Sequence, residues 1–440
     1  MKVIYALVSL STISFIRHIF VLSTTSAGKL RKTTEKSTPD SLELLESSLY
    51  TEEAKSDYIS SLPGLTFKPQ FKQFSGYIPV SPTRKIHYWY IESSSDPNKD
   101  PVVFWTNGGP GCSGLLGLGT EFGPFIFEKD GVLTENPSSW NKVANILYVE
   151  QPAGVGFSTY DSEDDKFVDD DRAAVDNYAL IVEFFKRFPE RLSNEFYIAS
   201  ESFGGHYIPH LAKEILDKND GNINFRGFLV GNPYVDPFSN DVTMIQTYYM
   251  HGLIALPLFS AWEQQCTDPD QYDENTCDSL VDAMFTEAGT GINPYALDFP
   301  TCTEPGNSDY PPFLEAQVTS DGDLSSVARH RGLSAQSSIT SSLSNLPPFL
   351  PDIDVYHPCA ESHLYHYLNR DDVKTALHVE MDKDWAMCSD DIQYSDDDKN
   401  KPQMYLYKEL IKKAKVQGSR LKMMIFSGDD DSSKLCVFCF

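Results

Sequence analysis

Ser200-Glu201-Ser202-Phe203-Gly204-Gly205 sets a hydroxyl among small residues, where an apolar run gives way to a helical pattern. A serine on so tight a strand-to-helix bend holds its oxygen out where it can attack an acyl carbon. Gly204 and Gly205 supply the small residues on the far side, and Ser200 stands where glycine is usual on the near side. A bare Ser-x-Gly is more often a loop than a catalyst. The strand before it and the helix after it make Ser202 the candidate nucleophile. Attack on a carbonyl builds negative charge on oxygen, which needs two N–H donors aimed at it. One is expected from Phe203. The other is expected from a glycine loop after an earlier strand, and Asn107-Gly108-Gly109-Pro110-Gly111 follows Val102 to Trp105 in that setting, with Gly109 as the donor.

The elements that must position these groups are legible as short apolar runs. Phe74 to Val80 and Ile86 to Ile91 read as two strands joined by a turn, and Val102 to Trp105, Ile146 to Val149, Glu195 to Ile198, Phe225 to Val230 and Met423 to Phe426 as further strands. Ala174, Tyr178, Ile181, Val182 and Phe185 recur at helical spacing within 171–188, and helices are also expected over 207–216, 371–378 and 405–415. Strand and helix alternating in this way predict an α/β fold, a mostly parallel central sheet with helices on both faces. The alternation breaks between 236 and 352, which reads as a helical cap insertion whose stretch 303–351, rich in Ser, Pro and Gly, is an exposed loop. The core is expected in two parts, 58–235 and 353–433.

With these blocks in order, the sequence resembles the serine carboxypeptidase family. Phe104-Trp105-Thr106-Asn107-Gly108-Gly109-Pro110-Gly111-Cys112-Ser113 is similar to that family's WxNGGPGCSS block, and Glu201-Ser202-Phe203-Gly204-Gly205-His206-Tyr207-Ile208-Pro209 to its ESYxGHYxP block. Asn145 to Ser158, Gly227 to Asp236 and Pro358-Cys359 with Tyr367-Leu368-Asn369-Arg370 resemble three more, and Ser427-Gly428-Asp429-Asp430-Asp431 resembles SGDxD. The resemblance runs from about residue 60 to 433. It implies an α/β-hydrolase that releases C-terminal residues from peptides through an acyl-enzyme. It implies that Asp431 is the triad acid, that Asn107, Gly108, Glu121 and Glu201 grip the substrate's terminal carboxylate, and that Cys112 pairs with Cys359. Carboxyl groups crowded around a carboxylate cannot all be charged, so the glutamates must hold protons and the site must favour acidic pH.

In this fold class the triad runs Ser, Asp, His along the chain. No histidine follows Asp431, and residues 434–440 no longer resemble the family. The expectation is therefore a chain cut short, lacking its last strand and helices and unable to turn over. His206, His210, His357, His363, His366 and His378 read as structural or surface residues. Two other readings of the same scaffold are a peptide-binding pseudoenzyme or truncated isoform, and an acyltransferase in which an alcohol replaces water. A lipase or esterase is disfavoured, because groups arranged to grip a carboxylate serve no ester.

Composition narrows the setting. Sixty-three acidic against 36 basic residues leave a net charge of −27, which repels nucleic acid. Lys2, an apolar stretch from Val3 to Ile16 interrupted by Arg17 and His18, and small residues leading to Ala27 read as a signal peptide over 1–27 rather than a membrane anchor. A polar lead is expected over 28–57. Eight cysteines behind a signal peptide read as disulfides rather than metal ligands, and Cys266 and Cys277 bracket a short loop they can close. The expected partners are peptide or protein C-termini, the compartment secreted, vacuolar or lysosomal, and no metal or cofactor is implied.

Overall fold

The computed structural model describes residues 49–218, 221–289, 291–302, 357–416 and 421–433. The expected leader over 1–27, the loop over 303–351 and the tail over 434–440 lie outside them. The lead expected to reach residue 57 does not hold to its end, because residues 49–57 are folded onto the core. Helix α1 (Glu52–Ser56) buries Ala54, and Thr51 Oγ1 donates to Arg187 O at 2.7 Å. Asp57, polar in sequence, is drawn in by Tyr88 Oη at 2.6 Å and by the Arg187 guanidinium.

The main sheet begins with β1 (Gln73–Pro79) and β2 (Arg84–Ile91), an antiparallel pair. β3 (Val102–Thr106) is followed by helix α2 (Leu115–Thr120), and the short strands β4 (Phe125–Phe127) and β5 (Leu133–Glu135) pair with each other. β6 (Asn145–Val149), the two-residue β7 (Thr159–Tyr160) and β8 (Phe167–Val168), and helix α3 (Asp170–Arg187) lead to β9 (Phe196–Glu201). Helix α4 (Gly204–Lys218) and β10 (Phe225–Gly231) complete the first part of the core. Three helices, α5 (Pro237–Met250), α6 (Leu256–Cys266) and α7 (Glu274–Ala288), pack around Ile245, Phe259, Trp262 and Met284. The chain re-enters through α8 (Ala360–Leu368), α9 (Asp371–Ala376), β11 (Gln393–Tyr394), α10 (Asp396–Lys399), α11 (Met404–Val416) and β12 (Lys422–Phe426).

The strand order is β1-β2-β6-β3-β9-β10-β12, with β7 also on β2. From β6 to β12 every pairing is parallel, so the mostly parallel sheet read from the sequence is what forms. β3 and β6 are buried at every residue, as strands covered on both faces must be. One face packs on α3, α4 and α11 through residues such as Ile181, Leu211 and Leu410, and the other on α2, α8 and α9 through Leu118, Leu364 and Val373. α3 is set by sequence at both ends: the Asp169 side chain accepts Arg172 N–H, and Lys186 and Arg187 face the negative C-terminus. β12 lies at the edge of the sheet, half-buried along its length. No helix among the described residues is long and apolar enough to cross a membrane.

Candidate active site

Parallel strands deliver their C-terminal ends to one rim of the sheet, where sites form in such folds. Glu201 ends β9 and pairs in register with Gly231 at the end of β10, with α4 starting three residues later. Ser202 between them has φ +54°, a left-handed conformation costly for a residue with a side chain. It persists because the backbone is held on both sides. Ser202 N–H donates to Gly231 O at 3.1 Å, and Ser202 O accepts Tyr234 N–H at 2.8 Å. The hydroxyl is half-buried and makes no hydrogen bond among the described residues. A Cβ on Gly204 would lie 2.1 Å from Ser200 Oγ, so glycine on the far side of the bend is what lets serine stand on the near side. Further along α4, Pro209 has no N–H to give Gly205 O, which accepts Tyr407 Oη at 3.0 Å instead.

The glycine loop after β3 backs directly onto this bend. A Cβ on Gly108 would come within 2.5 Å of Phe203 N and 3.0 Å of Ser202 Cβ, so no other residue fits there. The Gly109 and Phe203 N–H groups donate to no protein group among the described residues, which leaves both open to a ligand oxygen. The loop is fixed at its far end. Gly111 N–H donates to Tyr207 Oη at 3.1 Å, Ser113 N–H to Met387 O at 2.7 Å, and Gly111 O accepts Ser389 N–H at 2.9 Å. Cys112 and Cys388 face each other across this short antiparallel bridge and are joined as a disulfide. The pairing of Cys112 with Cys359 is thereby corrected: Cys359, at the start of α8, is bonded to Cys302. The Cys266–Cys277 pairing forms as expected.

Asn107 organises the carboxyl groups. Its Oδ1 accepts Trp105 Nε1–H at 2.8 Å and Gly117 N–H at 3.0 Å, which fixes the amide's orientation. Its Nδ2 donates to Glu201 Oε1 at 2.7 Å and Glu121 Oε1 at 3.3 Å. Glu121, just past α2, lines the cleft and is exposed to solvent on its outer side, while its carboxyl is turned in to accept from Asn107. Loss of solvent and then repulsion from Glu201 raise its carboxyl well above the usual range. Loss of solvent pushes Glu201 up to about 7, against the Asn107 hydrogen bond and helped by Asp431 and Glu361.

Asp431 lies near enough to Glu201 and Tyr295 to act on both as a negative charge. Its loop is pinned from the cap side, where Ser432 Oγ donates to Pro294 O at 2.7 Å and Leu297 N–H to Asp430 O at 3.0 Å. Among the described residues, no histidine is hydrogen-bonded to Ser202. His206 and His210 lie under the bend against Asp170, at 3.0 and 3.5 Å, and His251 lies 3.7 Å from Asp430. His87 is sealed between Ser75 and Glu150 at 2.8 and 2.7 Å, a triad-like arrangement with no access to solvent. His357 accepts Cys359 N–H at 3.1 Å, His363 bonds Phe127 O at 3.0 Å, His378 bonds Ser75 O at 3.0 Å, and His366 faces solvent.

Two residues near the clamp were not singled out by sequence. Glu361, in the first turn of α8, is pushed up to about 7 by burial and acts on Glu121 and Glu201 as a like charge. Its spacing to Leu364 and Leu368 marks the inward face of α8 and was the available signal. Tyr295, from the segment after α7, is enclosed beside Asp431, Glu201 and Glu361, and no local pattern marks it.

The serine carboxypeptidase family profile matches residues 63–437. Serine carboxypeptidase-like 26 of Arabidopsis thaliana is 34% identical over 391 residues, 86% of this chain and 78% of its own. The lysosomal protective protein of Mus musculus is 36% identical over 76% of this chain and 70% of its own. The crystal structure of a prohormone-processing carboxypeptidase from Saccharomyces cerevisiae superposes with a TM-score of 0.62 at 21% identity, covering 87% of this chain and 80% of that one, which supports the fold. A half-buried serine on a strained bend, a glycine loop against it and an ordered run of family blocks over most of the length lead to one assignment: the chain belongs to the serine carboxypeptidase family of α/β-hydrolases.

Proposed function

We propose that this chain carries the substrate site of a serine-type carboxypeptidase that engages the free C-terminus of peptides at acidic pH. One observation supports this most directly. The Ser202 hydroxyl and the open Gly109 and Phe203 amides sit beside a Glu121–Asn107–Glu201 clamp whose carboxyls are held towards the neutral form. In the reaction, Ser202 Oγ bonds to the last peptide carbonyl carbon, its oxygen taking up charge between the two amides. The amine leaves as the C–N bond breaks and takes up the proton that Ser202 gave up, and water then hydrolyses the acyl-serine to the shortened peptide acid and free serine.

The Ser202 proton needs an acceptor, and among the described residues no histidine reaches it. We read the chain as binding peptide C-termini, with turnover depending on a base that the described residues do not supply. Three disulfides support an oxidising compartment, hence the secretory route and a secreted, vacuolar or lysosomal destination. Calorimetric titration at pH 5 with a short peptide and its C-terminal amide tests the binding site: the free acid is expected to bind at least tenfold tighter. Equal affinities overturn the reading. Amino-acid release from the same peptide tests turnover, and robust release sinks the claim of a missing base.

A further inference from the structure

The two amides open beside Ser202 belong to different elements, Gly109 to the loop after β3 and Phe203 to the bend before α4. They stabilise an oxyanion only if both stand at the right distance from it at once, to within about 0.5 Å. Tyr207, buried in the first turn of α4, touches both sides. Its N–H donates to Phe203 O at 3.3 Å, and its ring meets the Phe203 ring edge-on at 5.2 Å. Its hydroxyl accepts Gly111 N–H at 3.1 Å.

Neither side has slack. Cys112 N–H donates to Gly108 O at 3.1 Å, closing the loop into one tight turn that contains Gly109. A Cβ on Gly109 would lie 2.7 Å from both Gly111 N and Cys112 N, so a shift at Gly111 is passed on to Gly109. Two further bonds, Ser113 N–H to Met387 O and Ser389 N–H to Gly111 O, tie the loop to the 387–389 segment rather than to the bend. On the other side, the Phe203 ring stacks on His206 at 4.3 Å and is met edge-on by Tyr394 at 5.2 Å. Tyr394 meets Tyr207 at 5.9 Å, again edge to face, so the three rings fix one another. Burial raises the Tyr207 hydroxyl well above its usual range, and it stays a neutral acceptor for Gly111.

We propose that Tyr207 is a positioning residue that sets the Gly109 and Phe203 amides to the separation a tetrahedral oxygen needs, its phenol acting as the spacer between the glycine loop and the bend. The role rests on the carboxypeptidase reading of Ser202. It falls on the tetrahedral state alone, because the clamp of Glu121, Asn107 and Glu201 is built from the ends of α2, β3 and β9 without Tyr207.

The test compares two ligands, titrated calorimetrically at pH 5 into the wild-type chain and three variants. N-acetyl-leucyl-phenylalaninal reports the tetrahedral state. Ser202 Oγ–H adds across the aldehyde C=O: a C–O bond forms, the hydroxyl proton passes through water to the former carbonyl oxygen, and nothing leaves. N-acetyl-phenylalanyl-leucine reports binding without that bond. Ser202→Ala cannot form the adduct, and its loss of aldehyde affinity marks it. Tyr207→Phe keeps the ring and removes the acceptor, and is expected to weaken the aldehyde about tenfold while leaving the acid unchanged. Phe203→Leu keeps the N–H, removes the ring that Tyr207 leans on, and should show the same split. If Ser202→Ala weakens the aldehyde while Tyr207→Phe leaves it intact, or weakens both ligands alike, Tyr207 only packs, and the inference is overturned while the carboxypeptidase reading stands. If Ser202→Ala leaves the aldehyde unchanged, Ser202 is no nucleophile and both fall together. Should Tyr207→Phe not fold, Phe203→Leu decides alone.

Discussion

At the scale of single residues, the site turns on which carboxyl holds a proton. Glu201 is pushed up to about 7 and Glu121 is raised as well, so below neutrality both can donate to a substrate carboxylate. As pH rises through about 7, Glu201 ionises and the same oxygen repels the ligand. Affinity for a free-acid peptide should therefore be flat near pH 5 and fall by up to about tenfold per unit above 7. Glu201→Gln is neutral at every pH and should lose most of that slope, with Glu121 contributing the remainder. Titrations from pH 5 to 8 check this, and a slope in Glu201→Gln as steep as the wild type's would refute it. The residues of this clamp were legible because Trp105, Asn107, Glu201 and Ser202 lie in two short runs, each fixed to the end of one strand. Tyr295 and Glu361 were not, since each comes from a separate segment and its role depends on what packs opposite.

At the scale of elements, long-range links hold the glycine loop against the Ser202 bend. The buried strands β3, β6, β9 and β10 could be read as apolar runs because burial on both faces demands such residues. β7, β8 and β11, two residues each, could not, for they exist only where a distant partner supplies the ladder. Cysteine pairing was equally opaque: composition says that disulfides form, and only the bridge between 112 and 388 says which. Non-reduced peptide mapping should recover Cys112 with Cys388 and Cys302 with Cys359, and a Cys112–Cys359 peptide would contradict the fold described. Replacing Cys112 and Cys388 together by serine is expected to destabilise the chain by about 2–5 kcal/mol in urea denaturation. Removing Cys266 and Cys277, which close a loop of 11 residues within the cap, should leave the free-acid preference of the clamp intact.

At the scale of the whole molecule, the same buried acids tie stability to pH. Burial pushes Glu190, Glu201 and Glu361 up to about 7, so the folded chain binds their protons more tightly than the unfolded chain does. Their protonated forms stabilise the fold fully below the ordinary glutamate range, and that contribution is lost as pH rises from about 4.5 towards 7. Asp165, Asp170 and Asp217 act in the opposite sense. Hydrogen bonds with Thr83 and then Arg84 for the first, with His206 for the second and with Lys413 for the third hold them below the usual range against the cost of burial, so their contribution is present above about pH 4 and lost on further acidification. A net charge of −27 works with the glutamates, because neutralising part of it relieves self-repulsion in the compact state. The thermal midpoint should therefore peak near pH 5, fall by about 5 °C by pH 7.5, and drop again below pH 4. Scanning calorimetry across that range measures it. A midpoint higher at 7.5 than at 5 would mean that these carboxyls are solvated in the folded chain, and the clamp chemistry argued from their protonation would go with them.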